Sequence, residues 1–438
     1  MRVAFHTLGC KVNQYETEAL KESFKGRGYE IAASGGAADI YVINTCTVTG
    51  LADRKSRQYI NRARKLNPES IIAVTGCYAQ ISQKEASDIE GADIIIGNED
   101  KMRIPDYVEE FLKGGARGGH IGNIKEVSGA FETGRLPGPD SKTRAFIKIQ
   151  DGCDRFCSYC IIPYARGAPV SRPLTSITEE AQALINNGFK EIVLTGINTA
   201  LYGAEKGFSE SGGVESVING LNSLSGDFRI RLSSLEPTVI DAKYVKKLFQ
   251  YEKLCHHIHL SLQSGSDRVL GLMNRKYSID EYMKIVCALK SFDPDYGISA
   301  DIIAGFPNEG EDDFKKSLEI VQKVNFCKVH VFKYSNRKGT ASANMEGQVG
   351  GAEKNKRAAI LIAEGERSAL RFFQNNIGGT KRALIETFVE NKGFYTAYTD
   401  NYIKVYIEAK GSNLNYLNEF VYVRLTGFYE DGMKAEIC

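Results

Sequence analysis

From Val3 to Tyr334 the chain alternates short apolar runs, rich in β-branched residues, with helical patterns. That rhythm leaves few folds open. Strands and helices that alternate in sequence form parallel sheets covered by the helices. The first units place strands at Val3–Leu8, Ile40–Thr45, Ile71–Thr75 and Asp93–Ile96. Helical patterns lie between them at Gln14–Arg27, Val48–Leu66 and Ser82–Asp88, and Met102–Lys113 closes the set. An open α/β domain with a parallel sheet is expected over residues 1–115. Glycines from Gly114 to Gly119, and the run Leu136-Pro-Gly-Pro-Asp140, mark a linker over residues 116–140.

The rhythm then resumes over a longer span, residues 141–372. Strands are expected at Ala145–Gln150, Glu191–Thr195, Arg229–Ser234, His257–Gln263, Ile298–Ala304 and Lys328–Tyr334. The first helix should start at Ser176, with Glu179 completing a capping box, and Ser278 with Glu281 repeats that signature before Tyr282–Lys290. Six successive units suggest a partial (β/α)6 barrel, with an open doubly wound sheet as the alternative. Beyond Phe373 the pattern alternates apolar and polar residues at Ala383–Val389, Tyr395–Thr399, Tyr402–Glu408 and Phe420–Thr426. This predicts a small all-β barrel over residues 373–438.

Composition narrows the setting. A formal charge of +2 on 438 residues excludes a globally basic nucleic-acid binder but not local basic patches. No apolar run approaches the ~18 residues of a membrane span. Lys11, Asn13 and Gln14 interrupt any leader-like apolar stretch, so a cytoplasmic protein with no membrane partner is expected. Ten cysteines in that setting point to metal or redox chemistry rather than disulfides.

Cys153, Cys157 and Cys160 stand in a C-x3-C-x2-C spacing just after the first strand of the central unit. Three close thiolates on one loop can hold three irons of a [4Fe–4S] cubane and leave the fourth open. That open iron suits chelation by the amino and carboxylate groups of S-adenosylmethionine, whose sulfur–carbon bond one electron then splits. The loop falls at the C-terminal end of a barrel strand, where such barrels place chemistry. A structural zinc site is the alternative, although zinc usually takes four ligands.

Cys10, Cys46 and Cys77 are far apart in sequence, yet each directly follows a predicted parallel strand. The C-terminal strand ends of an open α/β sheet line its ligand crevice. Gly9 and Gly76 permit tight turns beside two of these thiols. A shared metal site and a coincidental trio of structural thiols both remain open at this point.

Other features weigh less. Thr195, Gly196 and Asn198 end the second central strand, Ser234 and Glu236 the third, and Gln263 and Ser264 the fourth. Polar groups at strand ends are common. On a strand, His257 and His259 share a face and His256 points away, which favours packing or substrate contact over metal. Cys255, Cys287, Cys327 and Cys438 show no ligand-like spacing. Arg54, Lys55, Arg57, Arg62, Arg64 and Lys65 crowd one helix, as a solvated face or an RNA-binding one. Lys381 and Arg382, with Tyr395, Tyr402 and Tyr406, give the terminal barrel the mix that nucleic-acid-binding barrels use, and equally that of a barrel core.

The central cysteine spacing, with the aromatic Tyr159 before the third cysteine, resembles the hallmark of the radical S-adenosylmethionine superfamily. The blocks TLGCKVNQYE, INTC, VTGCYAQ, DGCDRFCSYCIIPYARG, LSLQSGSDRVL, DIIAGFP and YSNRKGTAS occur in the order of the methylthiotransferase family within it. The resemblance covers essentially the whole chain. It implies that Cys153, Cys157 and Cys160 bind the radical-generating cluster, and that Cys10, Cys46 and Cys77 hold a second [4Fe–4S] cluster. It implies contacts to S-adenosylmethionine at Tyr159, Thr195, Gly196, Asn198, Ser234, Glu236, Gln263 and Ser264. It implies a terminal TRAM-like barrel gripping a tRNA anticodon stem-loop, to which Asn401-Tyr402-Ile-Lys-Val405 is similar. A reductant such as flavodoxin or ferredoxin is implied too, and a monomer is expected.

The implied reaction transfers a methylthio group to a C–H position of a modified adenine. HTLGCKVNQYETEAL and LTGINTALYG look most like the branch acting at C2 of N6-threonylcarbamoyladenosine 37. Branches acting on isopentenyladenosine 37 or on a ribosomal-protein aspartate are alternatives, and a non-catalytic zinc-containing RNA-binding protein is the alternative of another class. Asn308 stands where the family commonly has glycine, which puts that local turn in question.

Overall fold

The computed structural model describes residues 1–33, 35–82, 89–122, 124, 143–207, 212–409 and 416–438. Its first sheet contains β1 (Arg2–Thr7), β2 (Glu30–Ile31), β3 (Ile40–Thr45), β4 (Ile71–Gly76), β5 (Ile94–Ile96) and β6 (Gly118–His120), in the order β2-β1-β3-β4-β5-β6. All the pairings are parallel. β3 and β4 are buried along their whole length, as expected of strands covered on both faces. One layer packs Leu20, Phe24 and Val108 against Val3, Ile40 and Val42; the other packs Ile60 and Ala63 against Ile43, Ile72 and Val74. These layers come from α1 (Lys11–Gly26), α2 (Gly50–Leu66) and α4 (Ile104–Leu112), while α3 (Cys77–Ile81) follows β4 directly. The connections leave β1 on opposite sides for β2 and β3, so the switch point lies between β1 and β3.

β2 and β6 were not expected. β6 uses residues read as linker: Gly118–His120 pairs with Ile94–Ile96 although all three of its residues are exposed. An exposed glycine pair carries no apolar signal, and only its backbone reveals the strand. The helical pattern at Ser82–Asp88 lies outside the described residues from position 83 onward.

The central strands are β7 (Arg144–Asp151), β8 (Val170–Ser171), β9 (Glu191–Gly196), β10 (Arg229–Leu232), β11 (Ser234–Leu235), β12 (His257–Leu260), β13 (Gly297–Ala304) and β14 (Lys328–Lys333). The single strand expected at Arg229–Ser234 breaks at Ser233. β10 stays with β9, while β11 joins β12, giving sheets β10-β9-β7-β8 and β11-β12-β13-β14. The polypeptide still runs through both, so the parallel strands form one bent arc.

Burial decides between barrel and doubly wound sheet. Ile147 and Ile149, Ile192 and Leu194, Ile230 and Leu232, and Ile258 and Leu260 all join one outer core with the helices. The alternate residues Glu191, Arg231, His257, His259 and Ser299 face inward and meet one another, while Lys148 meets Glu16 of α1. A sheet with one apolar and one polar face is a barrel wall. α1 closes the open side against β7 and β9, where Lys148 donates to Glu16 (2.9 Å) and Tyr15 donates to Glu180 (3.2 Å).

Ser278 and Glu281 form both halves of the expected capping box. Ser176 does not cap: its helix starts at Leu174 after Pro173, and the Arg172 guanidinium donates to the Ser176 hydroxyl. Proline's fixed φ suits the helix entry two residues earlier. Asn308 keeps its turn by adopting φ +62°, which asparagine tolerates, with its amide donating to Glu346 O (3.0 Å).

A helix over Gly351–Asn376, not anticipated, leads into β15 (Thr380–Val389), β16 (Phe394–Thr399), β17 (Lys404–Glu408), β18 (Phe420–Tyr429) and β19 (Gly432–Ile437). They close as β15-β16-β17-β19-β18. The boundary expected at 372/373 thus falls inside a helix, because Phe372 and Phe373 sit in the terminal barrel's core. The loop from Tyr398 to Tyr402 seals the floor of the central barrel. Arg229 donates to Tyr398 O (3.0 Å) and Arg231 to Thr399 O and Asp400 O (both 3.1 Å).

Candidate active site

The loop after β7 is shaped by backbone positions that only certain residues fill. Gly152 has φ +70°, and a Cβ there would sit 1.9 Å from Ala168 O. The Cys153 amide donates to Gly167 O and the Cys160 amide to Cys157 O, both at 2.9 Å. Ser158 anchors the loop to Leu272 O (2.8 Å). The three thiols of Cys153, Cys157 and Cys160 therefore share one cavity wall. Burial pushes Cys153 up to about 11 and Cys160 up to about 12, with the charge of Cys157 adding to both. Arg275 offsets this by donating to Cys157 Sγ (3.3 Å).

The cavity beside these thiols has a volume of about 150 Å³. Tyr159, Asn198, Ser234, Glu236 and Gln263, five of the residues proposed from the sequence as cofactor contacts, line it. Thr195, Gly196 and Ser264 do not belong to its lining. Thr195 is buried, Gly196 lies tight against Gln150, and Ser264 turns its hydroxyl to the Ser266 amide (3.2 Å). Arg155, Arg275 and Ser261 also line the cavity and were missed. Glu236 organises the polar side: it accepts from Asn198 (2.6 Å) and Arg275 (2.8 Å), with Arg155 at 3.6 Å. Gln263 holds φ +64°, a conformation that costs energy and is retained where the surroundings enforce it. The Nε atoms of Arg155 and Arg275 are buried without hydrogen-bond partners. They suit an anionic group such as the carboxylate of S-adenosylmethionine.

The N-terminal thiols meet at the switch point of the first sheet. Cys10 caps α1, Cys46 follows β3, and Cys77 opens α3. Each turn is tight: Gly9 and Gly76 both have φ +100°, and a Cβ would lie 2.8 Å from Cys46 Sγ or 2.3 Å from Thr45 O. Asn13 ties the turns together by donating to Leu8 O (2.7 Å) and Thr45 O (3.0 Å). Cys46 feels the charges of Cys77 and Cys10 and is pushed up to about 11, chiefly by burial. Cys10 is accessible yet surrounded by protein on most sides, as a group on the wall of a concavity is.

Arg166 joins the two sites. Its Nε donates to Cys77 Sγ (3.3 Å), while the next residue, Gly167, accepts from the Cys153 amide. The same guanidinium binds Glu16 and Asp151 (2.9 Å each) and Asn13 (2.6 Å). Lys101 and Lys148 complete this buried network on Glu16. Burial alone would raise Glu16, but Arg166, Lys101 and Lys148 hold it well below the usual carboxylate range. The blocks containing these residues were legible, but their pairing across domains was not. Arg337 makes a second tie, to Asp53 (2.7 Å) and to Thr47 beside Cys46.

Among the described residues, no three His, Cys, Asp or Glu side chains gather closely enough to hold a single metal ion. A mononuclear zinc site needs such a group. Cubane ligands bind separate corner irons and stand further apart, so a cubane does not need such a group. The histidines do not form a metal site either: His257 and His259 both reach Ser299 Oγ (3.0 Å), and His256 pairs outward with Asp293 (2.7 Å). Cys255 and Cys327 are buried, and Cys287 and Cys438 are exposed, all away from either triad.

The cationic candidates fare unevenly. Arg54, Lys55, Arg57, Arg62 and Lys65 are exposed along α2, but Arg64 is committed to Asp93, Ser70 O and Gly91 O. Lys381 pairs with Asp295 (3.2 Å) and Arg382 with Asp227, so both dock the terminal barrel on the central one. Asn401, Ile403 and Val405 are buried, with Asn401 donating to Asp295 O (3.0 Å). The segment 401–405 is thus a docking element.

A partial barrel whose first loop carries a thiol triad above a polar cavity defines a radical S-adenosylmethionine enzyme, here with a second thiol triad on an added α/β domain. The family models agree: residues 147–321 match the Radical SAM superfamily and residues 2–97 match Uncharacterized protein family UPF0004. The chain is 40% identical to the threonylcarbamoyladenosine tRNA methylthiotransferase MtaB of Bacillus subtilis, over 92% of this chain and 89% of that one. It is 32% identical to the tRNA-2-methylthio-N(6)-dimethylallyladenosine synthase of Sphingopyxis alaskensis, over 99% and 97%. The fold is also that of the radical S-adenosylmethionine methyltransferase TsrM from Kitasatospora setae, with a TM-score of 0.57, 11% identity and coverage of 78% and 77%. The chain belongs to the family of radical S-adenosylmethionine tRNA methylthiotransferases.

Proposed function

We propose that this enzyme adds a methylthio group to C2 of N6-threonylcarbamoyladenosine 37 in tRNA. The observation that carries the reading is the pair of thiol triads joined by Arg166 and Gly167. Cys153, Cys157 and Cys160 would hold one [4Fe–4S] cluster and Cys10, Cys46 and Cys77 the other. When bound, the first supplies the electron that cleaves S-adenosylmethionine to a 5′-deoxyadenosyl radical, and the second is associated with the sulfur to be transferred. An aromatic C–H bond is too strong for acid–base chemistry at neutral pH, which is why a radical source belongs here. Glu236, Asn198 and Arg155 orient the cofactor's amino acid end, and Gln263 and Ser261 bound the cavity where the adenosyl group would lie. A one-electron donor such as flavodoxin or ferredoxin would reduce the enzyme.

The substrate branch rests on the relatives and on Lys11. Lys11, beside Cys10 at the head of α1, feels the charges of Arg231 and Arg144 and the opposing charge of Glu191. It has no ion-pair partner within contact distance among the described residues. A lysine so placed suits the carboxylate of a threonylcarbamoyl group better than an isopentenyl chain. For the anticodon stem-loop, the exposed cations of α2 and the outer face of β18, with Tyr422, Arg424 and Phe428, offer phosphate contacts and stacking surfaces. The target base would have to leave its stack.

Nucleoside mass spectrometry of tRNA from a deletion strain and its parent tests the substrate. Loss of the methylthio-threonylcarbamoyl nucleoside is expected, and loss of the isopentenyl analogue instead would reject the branch. Iron analysis tests the sites. The reconstituted protein should hold roughly eight irons, four per cubane. Joint replacement of Cys10, Cys46 and Cys77 by alanine should remove about half and leave 5′-deoxyadenosine release intact.

A further inference from the structure

A network of charged side chains lies under Cys77. Among the described residues it joins the carboxylates Glu16 and Asp151 to Lys101, Lys148 and Arg166. All five are drawn into one cluster of contacts, and the side chains of Lys101 and Arg166 are 2% and 1% exposed. Buried charge in low dielectric demands a counter-charge close by. One of these cations reaches beyond the carboxylates: Arg166 Nε donates to Cys77 Sγ (3.3 Å), and Asn98 adds its amide at 3.8 Å.

We propose that Arg166, buried and bonded to Cys77, brings a built-in positive charge to the N-terminal sulfur centre. Arg166 is thus a positioning residue that sets how readily the centre accepts an electron. The inference rests on the reading that Cys10, Cys46 and Cys77 hold a cluster. Net charge and hydrogen bonds to the sulfurs are among the levers that set a cluster's potential. A cation stabilises the more negative, reduced state, so its removal makes reduction harder. The network also explains why removal need not unfold the protein. Without Arg166, Glu16 and Asp151 still face Lys101 and Lys148, which balance them.

The test uses full-length, reconstituted protein and EPR-monitored redox titration of the N-terminal cluster, alongside iron content. Arg166→Gln should keep roughly eight irons. Its N-terminal cluster should be at least tenfold harder to reduce, about 59 mV more negative for a one-electron couple. Arg166→Lys should recover most of that shift. Lys101→Met removes one network charge without touching Cys77 and should move the potential in the same direction, so it carries the test if Arg166→Gln loses iron. Release of 5′-deoxyadenosine should stay within twofold in Lys101→Met, while methylthio transfer falls in Arg166→Gln. An unchanged potential in both charge-removing variants overturns the proposal, as does an equal shift in Arg166→Lys and Arg166→Gln, which would make the role steric. A parent protein with no iron on the N-terminal thiols overturns the two-cluster reading itself, a result distinct from an unmoved potential.

Discussion

At the scale of the residue, the proposed contact of Lys11 with the threonylcarbamoyl carboxylate gives a direct test. Lys11→Gln should lower kcat/KM on threonylcarbamoylated tRNA by roughly tenfold to a hundredfold, the worth of a hydrogen bond to a charged group. Steady-state kinetics on that tRNA checks it, and uncoupled 5′-deoxyadenosine release should not change. Asp313 offers a pH-dependent counterpart. Burial would raise it, but hydrogen bonds from Arg268 and Ser266 lower it to about 2. A depressed carboxylate contributes stability above its unfolded value of 3.8, and loses it as pH falls toward about 2. Asp313→Asn should therefore cost about 2 kcal/mol at pH 7 and little near pH 2, measured as denaturant midpoints at both. The cysteines were legible because their chemistry depends on spacing and on placement after strands. Arg166 and Arg275 were not, because a buried arginine contacting a thiol looks in sequence like any surface arginine.

At the scale of the element, what the alternation of apolar residues reports is burial, and elements without that signal stay hidden. The expected strands at Ile40–Thr45 and Ile71–Thr75 match β3 and β4 almost to the residue because both faces are covered. β6 and the Gly351–Asn376 helix were hidden, the first by glycine and exposure, the second by an exposed, charged face. The break at Ser233 was hidden too, since a strand that changes sheets keeps its alternation. The turns that carry the thiols depend on glycine in a way that can be tested. Gly152→Ala would drive a methyl into Ala168 O at a φ that alanine avoids. It should halve the iron content, to about four per chain, and abolish 5′-deoxyadenosine release. The N-terminal cluster's EPR signal should persist.

At the scale of the whole molecule, the terminal barrel is a structural part of the enzyme as well as a candidate RNA grip. Glu191 would be raised by burial, yet Arg231, Arg229 and Arg144 hold it well below the usual carboxylate range, and Arg229 and Arg231 also bind the loop from Tyr398 to Thr399. Truncation after Asn376 should therefore destabilise the central domain and not merely weaken tRNA binding. Limited proteolysis of residues 143–376 in the truncated and full-length proteins separates the outcomes, and equal resistance would show the floor to be dispensable. Among the described residues no helix is long and apolar enough to cross a membrane. The loop that seals the floor also imposes an order on biosynthesis. The ribosome makes Tyr398–Tyr402 long after Arg229 and Arg231. Until then those guanidinium groups keep their water and the barrel stays unsealed from below. The nascent protein therefore presents its central thiols on an unfinished scaffold until that segment is made.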